Sequence, residues 1–184
     1  MIDALRSRWI PGLLAVLSLS ACVSPPRGVE PISGFELERY LGTWYEIARL
    51  DHRFERGLSN VTATYERAED GGVRVINRGY NAGDGEWSTA EGSAYFTGES
   101  DVGSLKVSFF GPFYGGYHVI ALDREDYQWA MVAGPNRDYL WILAREPEMD
   151  EAVYERLVGQ ARELGFAVEE LIRVEHGEVV GVGG

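Results

Sequence analysis

Val61-Thr62-Ala63-Thr64-Tyr65, then Asp70-Gly71-Gly72, then Val73 to Tyr80 is the stretch that decides the fold. Apolar and hydroxyl side chains alternate through the first run, as on a strand with one buried face. Asp-Gly-Gly supplies the positive backbone angles of a tight hairpin turn. The second run returns as a second strand. The pattern then repeats outward. Asp84-Gly85 is another turn, followed by Trp87 to Phe96; Leu105 to Phe109, Tyr117 to Leu122, Trp129 to Ala133 and Tyr139 to Ala144 continue the series. Upstream, a short helical turn at Glu36 to Tyr40 leads into Trp44 to Arg49. Eight strands at this spacing predict an all-β sandwich or an up-and-down barrel, and hairpin succession favours the eight-stranded antiparallel barrel because closure removes unpaired edges.

One helix comes after the strands. Asp150 is its cap, Leu164 its end and Gly165 its stop, with Val153, Leu157, Ala161 and Leu164 as an apolar stripe that must pack on the barrel. Ile172 to Val174 predicts a short extra strand.

The N-terminus has the form of an address. Arg6 and Arg8 precede an apolar run of 13 residues, Trp9 to Ala21. A bilayer crossing needs roughly 20, so the run fits the core of a signal peptide. It ends in Leu19-Ser20-Ala21-Cys22, which resembles a bacterial lipobox. That resemblance implies cleavage before Cys22 and acylation of its thiol and new amine; plain secretion with a free thiol is the alternative. Val23, where an aspartate would retain such proteins at the inner membrane, implies an outer-membrane address. The expected organisation is a lipoprotein signal peptide over 1–21, an acylated Cys22 with an extended tether over 22–32, a barrel over 33–175 with its helix at about 150–164, and a loose tail over 176–184.

Composition narrows the function. The 184 residues carry 29 acidic against 17 basic side chains, a net charge of −12. Nucleic-acid binding needs a basic face and is disfavoured. One cysteine permits no intrachain disulfide and no thiolate zinc cluster, and His52, His118 and His176 lack ligand spacing. No catalytic nucleophile elbow, zinc-protease or phosphate-loop motif occurs, so neither catalytic residues, metal nor cofactor are expected. His52, in the polar segment Asp51 to Arg56, reads as solvated, and His118 as outward-facing with a surface role.

Gly42-Thr43-Trp44-Tyr45-Glu46 resembles the first signature of the lipocalins. Leu122-Asp123, with Tyr127 and Ala130, resembles the second, and Tyr139-Leu140-Trp141-Ile142-Leu143-Ala144-Arg145 the third. The segments Tyr40 to Leu58 and Lys106 to Asp123 look closer still to the bacterial outer-membrane members. The resemblance assigns Gly42, Trp44, Asp123 and Arg145 to structure, with the Arg145 cation over the Trp44 indole at the closed end. With Trp44 and Arg145 inward, alternation turns Glu46, Ala48, Tyr139, Trp141 and Leu143 inward as well. The resemblance adds Ala63, Tyr65, Val75, Asn77, Ala90, Gly92, Ala94, Val107, Phe109, Tyr117 and Val119. The expected ligand-lining residues are Tyr65, Asn77, Val107, Phe109, Tyr117, Tyr139 and Trp141. Small residues mixed with aromatics leave volume for a ligand; a filled barrel is the alternative. Glu46 could orient a head group or serve the closed end. Phe110 to Tyr117 reads as an aromatic loop, either folded over the barrel or exposed to lipid, ligand or a second subunit.

The implied function is reversible burial of a fatty acid or lysophospholipid by an outer-membrane lipoprotein on the periplasmic face, with homodimers possible by resemblance. A lipocalin-fold enzyme acting on a lipid or isoprenoid, or an envelope interaction protein with a filled barrel, are the alternatives.

Overall fold

A computed structural model describes residues 23–177. The leader, Cys22 and residues 178–184 lie outside the described residues. Eight antiparallel strands succeed one another around a closed barrel: β1 (Gly42–Arg49), β2 (Leu58–Arg67), β3 (Val73–Asn81), β4 (Glu86–Phe96), β5 (Ser104–Phe110), β6 (Phe113–Leu122), β7 (Trp129–Ala133) and β8 (Leu140–Ala144). Each pairs with the next, and β1 pairs with both β8 and β2 to close the ring. Helix α1 (Leu37–Tyr40) sits under the closed end, and α2 (Glu151–Glu163) packs outside. Asp150 caps α2 by accepting from the Ala152 and Val153 amides. The helix buries Tyr154, Leu157, Val158 and Ala161 against the outward faces of β1, β7 and β8, at Ala48, Met131 and Ile142.

The closed end is built around one cation. The Arg145 guanidinium lies 3.9 Å from the centre of the Trp44 ring. It donates to the carbonyls of Thr43 (3.0 Å), Arg39 (2.8 Å), Leu41 (3.0 Å) and Tyr127 (3.3 Å). The Trp44 indole donates to the Tyr40 carbonyl at 2.8 Å. Gly42 has φ +94°, which favours glycine, and a Cβ there would stand 3.4 Å from the Arg145 guanidinium. Asp123 shapes the β6–β7 turn by accepting from the Glu125 and Gln128 amides. That turn presents Tyr127, whose hydroxyl accepts from the Glu36 amide.

Two irregularities depart from strict alternation. β1 is bulged between Glu46 and Ala48. The extra residue reverses the phase of the rest of the strand, so Ala48 turns out toward α2, not inward, and Arg49 turns in opposite Trp141. A second bulge in β6, between Val119 and Ala121, sends Ile120 and Ala121 into the helix-side core. Above its bulge β1 leaves β2. Its free edge there is taken by β9 (Ile172–Arg173), which pairs with Ala48 and Arg49. The Asn60 amide donates to the Glu175 carbonyl at 2.8 Å across the resulting seam.

The two ends of the described stretch pack on the barrel where an extended tether and a loose tail are expected. Residues 23–32 are not a free tether: Val29 is buried against the helix-side core, the Ile32 amide donates to the Val119 carbonyl, and the Arg27 carbonyl accepts from Arg137. This strap covers His118, which is fully buried with Nδ1 3.0 Å from the Ser104 hydroxyl and is not a surface residue. Burial depresses its pKa. At the other end, His176 and Gly177 are not loose. The His176 ring donates to the Glu46 carbonyl at 2.8 Å, and the Gly177 amide donates to the Asn60 side chain.

Removing the cation tests the closed end. Arg145→Ala should cost about 1–3 kcal/mol of stability, read as a lower melting temperature, through loss of the stacked charge and its stem. Ligand affinity should hardly change at temperatures where the variant is folded. A large affinity loss without a change in melting would place Arg145 in the binding site instead.

Candidate functional site

Strand register defines the barrel lumen. Trp44, Ala63, Asn77 and Ala90 lie side by side across β1 to β4, as do Gly42, Tyr65, Val75 and Gly92. Ala94 faces Val107, Leu105 faces Tyr117, and Val119 faces Val132, which faces Trp141.

The lower lumen is solid. Phe35, Tyr40, Trp44, Tyr65, Val73, Val75, Leu105 and Leu143 are buried there in one apolar cluster. The Tyr117 hydroxyl hydrogen-bonds those of Tyr40 (2.7 Å) and Tyr65 (2.8 Å). Burial raises the pKa of all three phenols, so they stay neutral and satisfy one another. The space left among Phe35, Leu37, Tyr40, Tyr65 and Tyr117 is about 10 Å³, room for about one water and not for an acyl chain. Tyr65 and Tyr117 therefore form a floor.

Above this floor the lumen is open. Asn77, Gly92, Val107, Phe109, Tyr139 and Trp141 are only half buried, and the inward-facing Ala90 is exposed. The buried Asn77 side-chain oxygen has no partner among the described residues. Away from the wall beside Trp141, the upper surface is thus aromatic and aliphatic around the Asn77 oxygen.

A charged network lines one wall beside Trp141. Arg49 donates to Glu46 at 2.7 Å, and to the carbonyls of Glu55 (2.7 Å) and Leu58 (3.2 Å). Trp141 Nε1 donates to Glu55 Oε2 at 3.1 Å. His52 is not solvated. It is buried with Nε2 2.9 Å from Glu55 Oε2, and its ring lies 5.2 Å from that of Trp141 and 5.7 Å from that of Tyr139. Glu46 thus serves this network rather than the closed end. Alternation could not find Arg49, because the β1 bulge has no sequence marker. The polar run Asp51 to Arg56 looks like an ordinary solvated loop.

Burial, with Glu55 beside it, pushes the Glu46 carboxyl well above the ordinary 4.5 despite Arg49. Burial also raises Glu55, but His52, Trp141 and Arg49 together hold it below its ordinary value. Folding therefore favours protonated Glu46 and ionised Glu55. The Glu46 contribution is complete below about pH 4.5 and is lost as pH rises through its raised pKa. The Glu55 contribution is present above that pH and is lost as pH falls through its lowered pKa.

Glu46→Gln keeps an acceptor for Arg49 and removes this titration. Its melting temperature should gain on the parent as pH rises above about 4.5. Parallel pH profiles of the two proteins would show that Glu46 does not titrate there.

The aromatic stretch after β5 is a hairpin, not a loop from Phe110 to Tyr117. β5 reaches Phe110, β6 starts at Phe113, and the two residues pair across Gly111-Pro112. Phe110 and Phe113 are 73% and 77% exposed.

Comparison with known proteins accords with this architecture. Residues 35–176 match the family model described as a lipocalin-like domain. The chain is 57% identical over 163 residues to the outer membrane lipoprotein Blc of Escherichia coli strain K12, covering 88% of this chain and 92% of that protein. It is 52% identical over 163 residues to Blc of Vibrio cholerae, covering 89% and 95%. Rat apolipoprotein D is 34% identical over 137 residues, covering 70% and 68%. The solved structure of insecticyanin from the tobacco hornworm shares the fold at a TM-score of 0.69 and 19% identity, covering 86% of this chain and 90% of that one. On these matches and its eight-stranded barrel with one C-terminal helix, the chain belongs to the lipocalin family.

Proposed function

We propose that this lipocalin is an acyl-anchored outer-membrane lipoprotein that holds a fatty acid or lysophospholipid on the periplasmic face. The observation that carries the reading is the two-level lumen. A sealed aromatic floor lies beneath an upper chamber whose apolar surface remains accessible. An acyl chain entering it leaves water at roughly 0.8 kcal/mol per methylene before ordering costs. No bond is made or broken. The 57% identity to an outer membrane lipoprotein supports the location.

In this reading the chain lies against Trp141, Phe109 and Val107, above Tyr65 and Tyr117. Trp141 stands about 14 Å up β8 from Arg145 at the usual rise per residue.

Palmitate should quench or shift tryptophan emission saturably, and decanoate should bind at least tenfold more weakly, since about 1.4 kcal/mol accounts for each tenfold. Trp141→Phe should remove most of the signal while much of the binding stays. Equal affinity for the two acids would overturn the apolar-chamber mechanism. Native mass spectrometry of protein purified from cells should show a co-purifying lipid.

The anchor has its own test. Cys22→Ser should shift the protein from the membrane fraction to the soluble periplasm or leave the leader uncut. Unchanged fractionation and mass would refute acylation.

A further inference from the structure

The outer wall of the barrel carries a concavity of its own. Tyr45, Thr62 and Arg78 lie side by side across β1, β2 and β3. They are one residue out of phase with the inward Trp44, Ala63 and Asn77, so all three face outward. Direct pairing of β1 with β2 stops at Tyr45 and Thr62, and the chain that follows β9 fills the gap above. There the His176 ring stands edge-on to the Tyr45 ring at 5.5 Å, and the Gly177 amide is tied to Asn60. Together with Trp87 on β4 and Glu148 after β8, these residues enclose a groove of about 380 Å³. That volume lies in the usual range of small-molecule clefts. None of the residues lining it belongs to the tyrosine floor or to the upper lumen.

Two arginines on the outward face of β3 are treated differently. Arg74 is held by Glu66 at 3.1 Å and Glu91 at 2.8 Å, carboxylates from the strands on either side. Arg78, one full repeat further along that face, has Thr62 and Thr89 as its cross-strand neighbours. No ion pair ties it to a carboxylate among the described residues. Its guanidinium lies instead over the Trp87 ring, 3.7 Å from the ring centre. A guanidinium stacked in this way keeps its N–H edge for an oxyanion, which it can hold with two parallel hydrogen bonds. The rest of the groove suits a ring that carries hydroxyls. The Tyr45 ring offers an apolar face, and Thr62 and Glu148 offer a hydroxyl and a carboxylate to which hydroxyls can donate. The Glu148 charge also disfavours a ligand with a second anionic group.

We propose that this outer groove binds a sugar bearing a single anionic group, a phosphate or a carboxylate. Arg78 holds the anion, the C–H face of the sugar packs on Tyr45, and its hydroxyls reach Thr62 and Glu148. The site is separate from the lumen and does not depend on what the lumen holds.

The test titrates the full chain with glucose 1-phosphate, glucuronate, glucose and inorganic phosphate. Binding is followed by the Trp87 indole N–H resonance, assigned by its loss in Trp87→Phe. Both anionic sugars should shift it saturably, and glucose and inorganic phosphate should each bind about tenfold more weakly or worse. Arg78→Gln should weaken glucose 1-phosphate binding by about tenfold or more, the loss of a charge-assisted contact. Its melting temperature and palmitate affinity should not change. Thr62→Glu gives Arg78 the internal partner that Arg74 has, and should abolish binding while the cation and its stacking on Trp87 remain. No saturable shift with either anionic sugar, or undiminished affinity in both variants, would overturn the site. Inorganic phosphate bound as tightly as glucose 1-phosphate would overturn the sugar assignment. A shift that palmitate competes away would put the ligand in the lumen and overturn the outer site.

Discussion

The contact between Arg145 and Trp44 joins the end of the last barrel strand to the beginning of the first. Alone, a cation over an indole contributes about 0.5–2 kcal/mol. Its position gives it more reach. The same guanidinium ties down the Thr43 carbonyl just before Trp44, the Arg39 and Leu41 carbonyls at the helical turn beneath it and the Tyr127 carbonyl, so closure, plug and β6–β7 turn depend on one side chain. With that end sealed, the tyrosine floor can form in a dry setting, where each phenol is satisfied by another phenol and not by water. The upper chamber can remain open because the lower half does the packing.

Much of this architecture is legible in the sequence because its determinants are local. Asp70-Gly71-Gly72 and Asp84-Gly85 set hairpins through backbone angles that few residues accept, and strand phase comes from alternation. The inward placement of Trp141 agrees with phase alone, and that of Asn77 and Phe109 with what the family resemblance implies. The parts that escape are those phase cannot carry. A bulge inserts one residue without a characteristic composition, so Ala48 and Arg49 exchange sides silently. The network of Glu46, Arg49, His52 and Glu55 then assembles from that exchange plus a loop whose charges resemble any solvated surface. Alternation turns His118 outward, but an outward residue can still be covered, and only tertiary contact reveals the strap that buries it.

The charged network is the least economical feature of the lumen. Four ionisable groups are withdrawn from water beside the upper lumen, where burial pushes the Glu46 carboxyl up while its partners hold Glu55 down. A wall of leucines would make a simpler apolar chamber. The network instead gives the chamber one polar side, aligned with the Trp141 indole, opposite the apolar wall formed by Val107 and Phe109.

The seam above Tyr45 has a consequence for the order of folding. β1 emerges early, yet its upper edge is completed by Ile172 and Arg173, and its lower end is locked by Arg145. Both contacts close loops of a hundred residues or more, so neither can form on a partly synthesised chain. The barrel is thus obliged to remain open until nearly its whole length is available. Late closure is thus a property of the topology itself, set by which strands share β1.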